Sequence, residues 1–128
     1  QARFETFMAD KPTQKAAYFI WKNPWMVAGS ETFIDAMLEL NRFQNIYGTK
    51  SRYPEIELKK IRLEGDPDLV LLSSEPFPFG DAEAFEIGRF THHAKTIFVD
   101  GEMFSWYGTR LAKAFDYFMT LQRALDRP

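Results

Sequence analysis

At 128 residues and 15.0 kDa the chain is long enough for one domain with a substantial core, and its 45% hydrophobic and 27% charged residues are an ordinary globular balance. A net charge of −2 and an isoelectric point near 5.7 leave no basic footprint, which argues against nucleic acid as a partner. The lack of cysteine excludes disulfides, thiolate metal sites and cysteine nucleophiles, and no apolar run, residues 69–72 included, is long enough to span a bilayer.

In chain order, residues 3–8 read as the end of a helix, broken by Lys11-Pro12-Thr13. Residues 16–21 form a short aromatic-rich apolar run, the pattern of a buried strand. Gly29-Ser30 then opens a helix with Ser30 as N-cap, and Phe33, Ile34, Met37 and Leu38 recur at helical spacing on its inner face. Residues 45–47 are a brief second strand and residues 57–64 a short helix, which Gly65-Asp66-Pro67-Asp68 ends. Residues 69–73 are the clearest buried strand, 81–89 are helical, 96–100 are a fourth strand, and a long last helix runs from about 111 to 125.

Strand and helix thus alternate four times. The expected fold is α/β and three-layered: a four-stranded, mostly parallel sheet with right-handed crossovers, flanked by helices. In such sheets the loops at the carboxyl ends of the strands line the ligand crevice. Three of these loops concentrate the aromatic residues: Trp21-Lys22-Asn23-Pro24-Trp25-Met26, Glu75-Pro76-Phe77-Pro78-Phe79 and Glu102-Met103-Phe104-Ser105-Trp106-Tyr107.

Among 13 Phe, 5 Tyr and 3 Trp many rings must be core, and Phe19, Phe33, Phe98, Phe115 and Phe118 follow the buried pattern. Trp25, Phe77, Phe79, Phe104 and Trp106 do not, so they are expected to converge on a water-facing rim as a ligand or partner surface. Prolines in two of the loops make them stiff platforms.

Chemistry is sparse by comparison. No Gly-x-Ser-x-Gly elbow surrounds Ser73 or Ser74, and Asn-Pro-Trp stands where a dinucleotide fingerprint needs Gly-x-Gly. His92-His93 reads as a solvated loop, and on a strand the two rings would point to opposite faces, which is awkward for shared metal coordination. Glu75 and Glu102 follow strand ends. They serve either as hydrogen-bond acceptors for a polar ligand, as structural caps or ion-pair partners, or as a catalytic acid–base pair.

The same loops carry a resemblance. The stretch from Phe19-Ile20-Trp21-Lys22-Asn23-Pro24-Trp25-Met26 to Phe33-Ile34, then Arg52-Tyr53-Pro54-Glu55-Ile56, Asp66-Pro67-Asp68-Leu69 through Phe79, and Val99-Asp100-Gly101-Glu102-Met103-Phe104 resemble the C-terminal lobe of periplasmic substrate-binding proteins. These serve ABC importers of cobalamin and iron chelates, and have two α/β lobes joined by one long backbone helix. The resemblance covers residues 16–125. It implies that residues 1–13 are the tail of that helix, that 14–128 are the ligand-binding lobe, and that the N-terminal lobe is missing. The start at Gln1 fits a piece of a longer protein, with removal of a targeting segment as the other reading.

Carried over by position, the resemblance implies ligand contacts from Trp25, Met26, Tyr53, Glu102, Met103 and Phe104. Glu75, Phe77 and Trp106 join them from the residue pattern. The ligand would be cobalamin or a ferric siderophore or haem-type chelate, bringing its own metal, so neither cofactor nor direct metal ligand is expected. Location would be periplasmic or otherwise extracytoplasmic, with lipid anchoring of the full-length protein an option, and the isolated lobe could form a homodimer.

One departure stands out. Family members usually present a surface glutamate that pairs with permease arginines, and here Lys59 occupies that place, with Glu57 the nearest carboxylate. Either Glu57 substitutes, the alignment shifts by a residue or two, or docking differs. The competing classes are a small stand-alone enzyme using Glu75 or Glu102, and a protein-interaction module built on the aromatic patch.

Overall fold

The computed structural model describes residues 2–105 and 111–126. Its centre is the parallel pair β1 (Gln14–Trp21) and β4 (Leu69–Ser73), in register from Ala16 opposite Leu69 to Phe19 opposite Leu72. Every residue of β4 is buried, as an apolar run covered on both faces requires. β5 (Lys95–Val99) pairs parallel with the far side of β4. The outer edge of β1 is shared by β3 (Phe43–Asn45), parallel along its first residues, and by the two-residue β2 (Met26–Val27), antiparallel along its last.

The sheet therefore has five strands rather than four. The added one, β2, is too short to leave a periodic trace. The second expected strand lies two residues earlier than its apolar residues suggested.

Side chains alternate between two cores. Tyr18, Leu69 and Leu71 pack on one face with Phe4, Ile34, Leu38, Phe115 and Phe118, from α1 (Ala2–Met8), α2 (Phe33–Leu40) and α6 (Leu111–Leu125). Phe19, Val70 and Leu72 pack on the other with Ile61 of α3 (Ile61–Glu64) and Ile87 of α4 (Asp81–Gly88). The expected three layers are present.

Helix α2 starts after Thr32, not at Ser30. The Thr32 hydroxyl accepts the Asp35 N–H at 3.0 Å, whereas Ser30 donates to the Lys50 carbonyl in a bridge beside Ser51. Its far end is fixed by a buried amide clamp, in which Gln122 of α6 donates to Asn41 O at 2.9 Å while Asn41 donates to Met37 O. Phe98, expected in the core, is 49% exposed because β5 is the edge strand and that side of it is left uncovered. The residues expected to form one helix at 57–64 instead make a 3-10 turn, residues 58–60, followed by the single turn of α3.

Asp68 sets the level of three strands at once. Its carboxylate accepts the Lys15 N–H at 2.9 Å, its N–H donates to Lys15 O, and its carbonyl accepts the Lys95 N–H. A hydrogen bond from His93, with the Lys15 N–H behind it, holds the Asp68 carboxyl below the usual aspartate range. A depressed carboxyl contributes stability above its unfolded pKa, about 4, and the contribution is lost as pH falls through the lower folded value. Asp68→Ala is accordingly expected to lower the unfolding free energy by roughly 1–3 kcal/mol at pH 7. Urea denaturation at a series of pH values should show the gap from wild type shrinking below about pH 4.

Candidate ligand-binding rim

β1, β4 and β5 run parallel, so the loops that follow them gather at one end of the sheet. The first two interlock through their rings. Trp21 meets Phe77 edge-on with centroids 5.6 Å apart, Trp25 stacks on Phe79 at 6.4 Å and lies edge-on to Phe19 at 5.8 Å, and Phe77 packs on Phe79 at 4.7 Å. The cluster grades outward, from buried Phe19 and Phe79 through half-buried Trp25 and Phe77 to Trp21, which is 38% exposed.

Both Asn23–Pro24 and Glu75–Pro76 are cis, and Asn23 adopts a positive φ of 62°. Lys22 ties the first loop to α4, with Nζ 3.2 Å from Glu86 and 3.5 Å from Glu83, and sits over the Trp25 ring. Glu86 foremost raises the Lys22 pKa, while the Gly80 N–H, which donates to the Glu83 carboxylate at 2.8 Å, lowers that of Glu83.

The expected residues separate into three groups. Trp25 and Phe77 meet in the ring cluster, and half-buried Met26 lies beside them in β2. Tyr53, 40% exposed, precedes Pro54, whose carbonyl accepts the Val27 N–H, so its loop flanks β2 at the same end of the sheet. Glu75 is exposed at the start of the second loop, while Glu102 and Met103 are half-buried in α5 (Gly101–Ser105).

Phe104 requires a correction. It is fully buried on the opposite face of the sheet, against Tyr18 at 5.2 Å and Phe118 at 4.9 Å, and so takes no part in a water-facing surface. The physical reason is α5: residues 101–105 coil as a helix, not an open loop, and turn the ring inward. Phe79 is likewise more buried than expected, as the floor of the cluster. Trp106 lies outside the described residues.

Trp21 was placed in the first aromatic loop by the sequence but not among the expected ligand contacts. It closes a buried strand, yet the register puts it one step beyond Ile20, level with the start of the second loop. A strand-terminal ring followed by Lys-Asn-Pro was the available signal.

The loops after β4 and β5 are fused by a polar knot. Buried Ser73 donates to Glu75 O at 2.6 Å and accepts from the Tyr18 hydroxyl at 3.2 Å, and Ser74 Oγ accepts the Gly101 N–H at 3.0 Å. Burial pushes the Tyr18 phenol well above its ordinary pKa, which keeps it a neutral donor.

Away from the rim, Glu57 is exposed and paired with Lys60 at 3.0 Å and Lys59 at 3.6 Å, and the Lys60 contact foremost holds its carboxyl low. A groove of about 540 Å³ between α1 and α2, lined by Phe4, Met8, Met37 and Leu40, lies where the chain enters β1 and β3 and is separate from the ring cluster.

No family model matches the chain, and no curated protein does. Solved structures do match in fold. The periplasmic vitamin B12 binding protein BtuF of Vibrio cholerae superposes with a TM-score of 0.74 at 14% identity, over 98% of this chain and 51% of its own. The periplasmic heme binding protein HutB of Vibrio cholerae gives 0.71 at 20% identity, over 95% and 52%. A periplasmic heme binding protein from Pseudomonas aeruginosa gives 0.73 at 19% identity, over 94% and 48%. The chain spans about half the length of these structures and has the fold of one lobe of them.

Gly101 is where the knot permits no side chain. An added Cβ would stand 2.3 Å from Ser73 Oγ and 3.1 Å from Glu75 Cγ, whereas one at Gly88 would meet nothing within 4 Å. Gly101→Ala should therefore destabilise by roughly 1–3 kcal/mol through overpacking. Gly88→Ala should be neutral or stabilise by up to about 1 kcal/mol, both read from urea midpoints.

Proposed function

We propose that the chain is the C-terminal lobe of the substrate-binding component of an ABC importer. It would take a flat metal chelate between itself and a second lobe, with residues 1–13 as the tail of the helix that joins them. The observation that carries this reading is the graded ring cluster of Trp21, Trp25, Phe77 and Phe79 at the carboxyl ends of parallel strands. The fold shared with binding proteins for vitamin B12 and heme supports it.

Trp21, Met26 and Tyr53 would cover the macrocycle, each Å² of apolar surface contributing about 25 cal/mol before association costs. Glu75 and Glu102 would accept hydrogen bonds from its periphery. Two carboxylates suit the amide fringe of a corrin better than the anionic propionates of a haem, since like charges oppose. Cobalamin is therefore the favoured cargo. The metal would arrive inside the chelate and bind no protein ligand.

The periplasmic neighbours support an extracytoplasmic location. Docking to a permease would run through the Glu57–Lys59–Lys60 ion cluster, which offers no free carboxylate at that point. A stand-alone acid–base enzyme is less well supported, because Glu75 stands exposed to solvent.

Titrating the chain with cyanocobalamin, haem and a ferric catecholate while following tryptophan fluorescence separates these readings. Saturable quenching by cyanocobalamin is expected, weakened about tenfold or more in Trp21→Ala. Quenching by none of the three, or an unchanged affinity in that variant, would defeat the proposal. Because the second lobe supplies half of the cleft, the chain alone should also self-associate or bind weakly. Sedimentation showing a clean monomer together with tight binding would contradict that expectation.

A further inference from the structure

The opposite end of the sheet holds a cluster that the rim does not use. Asp66, in the turn that leads into β4, and His92 and His93, in the turn that leads into β5, bring one donor atom each to a common point. His92 Nδ1 and His93 Nδ1 are 3.5 Å apart, and Asp66 Oδ2 is 3.8 Å from the first and 4.0 Å from the second. The adjacent histidines do not lie on a strand, so their rings are not forced to opposite faces. They sit in a bend, with the rings perpendicular and 5.3 Å apart, and both face Asp66.

A second carboxylate supports the cluster from outside. Asp68 Oδ1 lies 2.7 Å from His93 Nε2, where a carboxylate accepts the ring N–H, which turns Nδ1 towards Asp66. His93 Nδ1 then presents a lone pair towards Asp66 Oδ2, itself an acceptor. The other oxygen of Asp66 is buried and has no hydrogen-bond partner. A carboxylate fixing the outer nitrogen of a histidine is the arrangement that orients histidine ligands towards metal ions.

We propose that Asp66, His92 and His93 form a binding site for a divalent transition metal of the zinc class, with Asp68 as the supporting carboxylate. Four tetrahedral ligands at about 2.0–2.1 Å from zinc stand about 3.3–3.4 Å from one another, so the observed spacings of 3.5–4.0 Å need only a small inward movement, which the two exposed histidines can supply towards half-buried Asp66. Two nitrogens and one oxygen select zinc, nickel or copper over calcium or magnesium, which take oxygen donors. The fourth position opens to solvent. An ion there would clamp the segments entering β4 and β5, and the site is independent of the cargo proposed for the rim.

The test uses the untagged chain, stripped of metal with chelator and titrated with zinc chloride by calorimetry, with magnesium chloride as control. The chain has two histidines and no cysteine, so imidazole coordination can arise nowhere else. One zinc per chain and a raised Tm are expected, with no response to magnesium. Asp66→Asn, which suits the positive φ of 44° at that position, and His93→Ala should each weaken zinc binding at least tenfold. Asp68→Asn should weaken it about 10- to 100-fold, and Glu57→Gln should leave it unchanged. Imidazole nitrogen NMR should report coordination through Nδ1. Absence of saturable binding, coordination through Nε2, or a His92→Ala/His93→Ala double variant that binds as tightly as wild type would overturn the proposal.

Discussion

The structure hangs on a single register. Asp68 engages the backbones of Lys15 and Lys95, so β4 and β5 start level with each other and with Ala16 of β1. From that line β4 and β5 run five residues each and finish together, Ser73 opposite Val99. Ser74 and Gly101 consequently meet, and their loops share one knot. β1 runs one step further, which lifts Trp21 to the height of the second loop and against Phe77. A slip of one residue would turn every side chain of a strand to the other face and scatter this arrangement.

The rim owes its form to the core beneath it. Phe19 and Phe79 are buried residues of the α4 side, and Trp25 and Phe77 rest directly on them. A surface seated on packed rings has little freedom left to lose, so a partner meets a shape already made. The Ser73 and Lys22 contacts fix the loops laterally in the same way.

What could be read from the residues was whatever carried period or composition. The strand at 69–73 declared itself as an unbroken apolar run, and α2 and α6 by their 3.6-residue spacing. The two-residue β2 and five-residue α5 fall below the length at which a pattern exists, and mistaking α5 for a loop sent Phe104 to the wrong side of the sheet. Ser30 and Thr32 are equally good caps in isolation, and only the bridge at Ser51 decides between them. His92 and His93 lie in an exposed bend, as read from the residues, but their shared neighbour Asp66 left no trace because it is distant in sequence. Trp25 and Phe77 were found together because both follow parallel strands, a relation that topology alone supplies.

The clamp between Gln122 and Asn41 has a bearing on how the chain matures. Residues 114–119 of α6 roof the face that carries Tyr18, Leu71 and Phe104, and the buried amide at 122 latches that roof to α2. A polypeptide emerging from the ribosome presents its amino-terminal portions first. That half of the interior therefore stays open to water until residues 114–122 have been synthesised, and a product lacking them would carry a wet, adhesive flank.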